Sequence, residues 1–168
     1  MILFQGFSKP VDHAIFNTML RRFLLRLILE EAIRREEEAY RFYEAALESV
    51  RAPEGRALLR KLCAEELRHR LKLQELQLQP ESLEVEAHDV QESELLADSG
   101  PAPAPELAGL RPEDVWRLAL DKERLAVRHY GLLARRTPLP EPRRVFAWLA
   151  AEEQRHVDWV LAALEGRG

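Results

Sequence analysis

AEELRH (residues 64–69) and AEEQRH (residues 151–156) lie 87 positions apart in a chain of 168 residues, and each ends in Glu-x-x-His. The likeness is wider than six letters. Placing 29–76 over 116–163 gives fourteen identities in 48 positions without a gap. They include Ala32/Ala119, Glu36/Glu123, Ala39/Ala126, Tyr43/Tyr130, Pro53/Pro140, Leu62/Leu149, Glu66/Glu153 and His69/His156. Each copy is rich in Leu, Ala, Glu and Arg and is interrupted near its middle by proline, at Pro53 in the first and within TPLPEP (137–142) in the second, which is the composition of a helical hairpin.

The stretch from Val11 to Ala52 holds neither Gly nor Pro and reads as one helix, and Pro53 starts a second that runs to about Leu78. From Pro80 to Pro112 the chain is acidic, with five prolines and two glycines, and has no sustained helical period. A third helix starts at Pro112 and ends before TPLPEP, and a fourth runs from about Arg143 to Leu164. No alternating β-branched run predicts a strand. The expected fold is all-α: a four-helix bundle made of two hairpins joined by a long crossover. The chain divides as one domain over 1–168, with an N-terminal helical extension (1–28), a first hairpin (29–78), the crossover (79–112) and a second hairpin (113–164).

Spacings of three and four give each helix a core stripe. Helix 1 reads Leu29, Ile33, Glu36, Tyr40, Tyr43, Leu47, Val50, and helix 2 reads Leu59, Leu62, Glu66, His69, Leu73, Leu76. Helix 3 reads Trp116, Ala119, Glu123, Ala126, Tyr130, Leu133, and helix 4 reads Phe146, Leu149, Glu153, His156, Val160, Ala163. Each stripe is apolar except at its middle. Glu36 and Glu123 lie 17 residues before Pro53 and Pro140, and Glu66 and Glu153 lie 13 after them. At ~1.5 Å per residue, all four carboxylates meet at one height. Four buried carboxylates need protons or cations, since each unpaired charge costs several kcal/mol. Two divalent cations would neutralise them, and each histidine would add a nitrogen; burial alone should leave both imidazoles neutral. Carboxylate with imidazole suits iron or manganese. Glu37 is a lesser rival to Glu36. His13, His88 and His129 fall off the stripes, and Cys63 reads as a core filler.

These features resemble the ferritin-like di-iron carboxylate proteins, and the rubrerythrin group in particular. The resemblance rests on EEEAYRFY (36–43), ERLAVRHY (123–130) and the two Glu-x-x-His elements. It implies two iron ions per bundle, with manganese an alternative. Glu36 and Glu123 would be terminal ligands, Glu66 and Glu153 bridges, and His69 and His156 would each complete one metal's set. Tyr43 and Tyr130 would donate hydrogen bonds to ligand carboxylates. A single cysteine excludes the rubredoxin-like iron site of full rubrerythrins, so electrons must come from another protein. Ala126 stands where that group often has a further glutamate. Glu-Glu-x-Arg-His at both sites is also similar to an element of di-iron oxygenases and ribonucleotide reductase small subunits. By that likeness Glu65 and Glu152 would hold the histidines' outer nitrogens, with Arg68 and Arg155 anchoring them. On spacing alone these four residues fit exposed ion pairs equally well.

The function expected from this likeness is reduction of hydrogen peroxide with an external electron donor. Ferrous oxidation with dioxygen, iron storage, and a manganese catalase-like reaction are alternatives. A net charge of −4 with no basic patch argues against nucleic acid. No apolar run is long enough to span a membrane. The N-terminus lacks the pattern of a secretion signal, and a cytoplasmic location is expected. The run IFNTMLRRFLLRLIL (15–29) has more apolar residues than a bundle helix needs, so it either covers the core or meets a second subunit in a homo-oligomer, a dimer or larger.

Overall fold

The computed structural model describes residues 13–78, 107 and 109–166. It holds four helices and, among the described residues, no strand: α1 (His13–Ser49), α2 (Pro53–Leu78), α3 (Pro112–Arg136) and α4 (Pro140–Leu164). Most of the crossover and residues 1–12 lie outside the described residues. From residue 13 onward the N-terminal helical extension and the first helix of the hairpin form one helix, α1. Among the described residues no helix is long and apolar enough to cross a membrane.

Three of the four helices begin on proline, where the missing N–H costs nothing and φ is already helical. This moves the start of α4 to Pro140, three residues before the expected Arg143. Pro142 still falls in the first turn, so PEP is helix and not loop. The hairpin turns are closed by two arginines that the repeat superimposes. Arg56 donates to the carbonyls of Leu47 and, at 3.2 Å, Val50. Arg143 donates to the carbonyls of Thr137 (3.0 Å) and Pro138 (3.1 Å). Each satisfies carbonyls that the end of the preceding helix leaves open. Before α3 the chain turns at Leu107–Leu110, where Leu110 N–H donates to the Leu107 carbonyl at 3.2 Å. Gly109 supplies the left-handed residue there, with φ of 82°.

Helices pack most closely within each hairpin, α1 on α2 and α3 on α4, and the hairpins meet through α2 on α4 and α1 on α3. The hairpins run head to tail. One apolar cluster joins Val50 and Leu59, at the turn of the first hairpin, to Val115, Trp116 and Val160, at the open end of the second. The other joins Leu25, Leu29 and Leu76, at the first hairpin's open end, to Leu133, Leu139 and Val145, at the second's turn. This orientation sets Glu36 level with Glu123.

The α2 stripe is buried as expected, and Glu66 and His69 lie within it. The α1 stripe needs correction. Tyr40 is only half-buried, and the face that packs carries Ala32, Phe42 and Ala46. Alanines give little hydrophobic signal, so a spacing of four from Glu36 pointed to Tyr40 instead. At the N-terminal end of α1, Leu25 and Leu29 cover the core while Met19 and Phe23 remain 66% and 58% exposed.

Candidate metal centre

Between the two apolar clusters lies a layer of buried polar side chains: Glu36, Glu66, His69, Glu123, Glu153 and His156. All six are at most 3% exposed, so this layer is shielded from bulk solvent. They form two groups, Glu36–Glu66–His69–Glu153 and Glu66–Glu123–Glu153–His156, in which one ligand atom from each residue lies within 4.8 Å of the others.

The inner nitrogens show how the groups share residues. His69 Nδ1 lies 3.2 Å from Glu36 Oε2, 3.6 Å from Glu66 Oε2 and 3.0 Å from Glu153 Oε1. His156 Nδ1 lies 3.2 Å from Glu66 Oε1, 3.4 Å from Glu123 Oε2 and 3.3 Å from Glu153 Oε2. Glu66 and Glu153 therefore each present one oxygen to each group, while Glu36 and Glu123 serve one group apiece. Glu37 does not compete, since Arg70 and Arg41 hold its carboxylate.

The tyrosines cross between hairpins. The Tyr43 hydroxyl donates to Glu123 Oε1, and the Tyr130 hydroxyl donates to Glu36 Oε1. Sequence spacing relates each tyrosine to the glutamate on its own helix, but the head-to-tail packing delivers it to the other one. The outer nitrogens face α2 and α4. Glu152 is buried, accepts from Arg68 Nη2 (2.7 Å) and from Arg155, and its Oε2 lies 4.0 Å from His69 Nε2. Glu65 is paired to Arg68 and forms a third group with His69 and His156. These carboxylates face the histidines without a hydrogen bond to either Nε2.

With the protein's own groups alone, burial drives the Glu36 and Glu123 carboxyls well above the usual range, and the Glu153 charge adds to it. Burial pulls His69 down, but hydrogen bonds to Glu153, Glu36 and Glu66 outweigh it and push the imidazole up to about 11. His156 rises for the same reason, through Glu123, Glu153 and Glu66. Burial also raises Glu153, yet the two histidines hold it well below its ordinary value. Burial alone favours neutral imidazoles, but with the protein's own groups alone the surrounding carboxylates outweigh desolvation at both histidines.

The donor set fits a metal pair. Glu66 Oε1, Glu153 Oε1 and His156 Nδ1 are buried without a well-aligned hydrogen bond, and all face the shared interior. Divalent cations would satisfy these atoms and displace the protons. Sequence reasoning missed the tryptophans beside the histidines. Trp148 lies against His69, and Trp159 against His156.

Comparison with known proteins bears on the fold and on the first hairpin. No curated protein matches the chain. A hypothetical protein from Pyrococcus furiosus shares the fold at a TM-score of 0.65 and 23% identity, over 84% of this chain and 88% of that one. The family model described as Rubrerythrin matches residues 9–77. That span takes in all of α1, all of α2 but Leu78, and the first Glu-x-x-His, so the sequence likeness to that family lies in the first hairpin of a four-helix bundle.

Proposed function

We propose that the chain is a di-iron redox protein that reduces hydrogen peroxide with electrons from an external donor. One observation supports this above the others: Glu66 and Glu153 each offer one oxygen to both histidine groups. That is the arrangement of ligands that hold two metals side by side. In this reading Glu36 with His69, and Glu123 with His156, complete the two ends. Two ferrous ions, when bound, supply two electrons together.

The chain's own residues do the rest. Tyr43 and Tyr130 fix Glu123 and Glu36 by donating to one oxygen of each, which leaves the other oxygen directed at the interior. Ala39 and Ala126, one turn from those glutamates, keep side-chain volume low for a small substrate. The apolar clusters on both sides keep bulk water from the site. The two halves offer matching ligands, so a symmetric two-oxygen substrate meets the same environment at each end. The likeness of the first hairpin to rubrerythrins is the reason this reading takes peroxide as the oxidant.

Stopped-flow oxidation of the anaerobically loaded ferrous protein tests this. Peroxide should oxidise it faster than equimolar dioxygen. If dioxygen is as fast or faster, a ferroxidase or oxidase takes the place of the peroxidase.

A further inference from the structure

The two histidines belong to a longer row of rings. Trp148 meets His69 edge-on with centroids 5.3 Å apart. His69 stacks on His156 at 5.3 Å and 15°, and His156 stacks on Trp159 at 5.3 Å. The histidines are fully buried, whereas both tryptophans are partly exposed, so the row leads from the metal groups to the surface of α4. Tyr43 and Tyr130 also touch the site, but both are fully buried.

The fold does not demand indoles here. In the 87-residue register the matching positions of the first hairpin are Lys61 and Lys72. The aromatic bracket is therefore an addition of the second hairpin alone. The two indoles also differ electrostatically. Lys61 Nζ sits 3.5 Å from the Trp159 ring centroid, and a cation on the ring face opposes removal of an electron. Arg68 is 5.5 Å from the Trp148 centroid, and its charge is shared with Glu65 and Glu152. Trp148 is the easier ring to oxidise.

We propose that Trp148 is a one-electron relay between the metal site and the protein surface, acting through His69. The proposal rests on the redox reading given above. Reduction of hydrogen peroxide to two waters takes two electrons and two protons. When the site holds only one electron, Trp148 supplies the other, and the protons come from solvent. No bond to the indole forms or breaks. The ring radical is then refilled by one electron from an external thiol or redox protein, so the oxidising equivalent leaves the buried site.

The relay can be read in reverse by flash photolysis, apart from turnover. Photo-oxidised tris(bipyridine)ruthenium in solution takes an electron from a surface indole, and the indole radical is followed by its visible absorption. Protein loaded with ferrous iron is compared with protein loaded with redox-inert zinc, after the metal content of both is measured. The radical should decay faster with iron than with zinc, because the ferrous site refills it. W148F should lose the fast decay and W159F should keep it. Both variants retain a large apolar ring, and equal metal content verifies their sites. Equal decay in the iron and zinc forms overturns the relay, as does loss of the fast phase in W159F but not in W148F. A sample that retains no metal removes the dinuclear reading and the relay with it.

Discussion

Two glutamates distinguish a paired site from two separate ones. Glu66 and Glu153 each face both histidines, while Glu36 and Glu123 each face one. Replacing Glu66 or Glu153 by Gln should therefore abolish retention of both metals, whereas E36Q and E123Q should each keep about one. Metal analysis after desalting checks this, and equal loss in all four variants would contradict the bridging assignment. Cys63 carries a simpler expectation. Burial pushes its thiol up to about 11, so less thiolate forms at neutral pH than in the unfolded chain. Alkylation by iodoacetamide at pH 8 should be on the order of a hundredfold slower in the folded protein than in denaturant. All six candidate ligands were legible because carboxylates and imidazoles stand out against an apolar stripe. The Tyr43–Glu123 and Tyr130–Glu36 bonds were not, because they join residues 80 and 94 positions apart across packed hairpins.

The helices show where sequence signals are strong and where they fade. The α2 stripe could be read outright, since each apolar member is leucine. The α1 stripe relies on Ala32 and Ala46, whose small side chains pack closely yet scarcely register as hydrophobic. The repeat marked Arg56 and Arg143 as equivalent but could not assign them a task. Their shared task is to cap the carbonyls at each hairpin turn. R56A and R143A should each cost about 1–2 kcal/mol, as lost charge-assisted hydrogen bonds do. Chemical denaturation checks this, and the double variant should be additive because the turns lie at opposite ends of the bundle. A loss confined to one variant would show that the two turns are not equivalent.

In the whole molecule, a charged layer divides the core in two, and only the two hairpins together build it. Without metal, burial raises the Glu36 and Glu123 carboxyls and the surrounding carboxylates raise the imidazole of His69. Metal ions should then stabilise the bundle by mass action. Ferrous iron or manganese at a hundred times the dissociation constant adds about 2.7 kcal/mol. Thermal unfolding should rise with added metal and fall back with chelator, and an unchanged midpoint would contradict a site that forms only in the folded chain. The bundle of two hairpins was legible from a single 87-residue register, whereas the head-to-tail orientation of the hairpins was not, because it is set by which apolar ends pack together. The measurement closest to the central claim is the metal content of the purified chain after anaerobic ferrous loading and desalting. A dinuclear centre predicts two iron ions per chain. Well under one would contradict it and leave the buried carboxylates as a protonated layer without a metal pair.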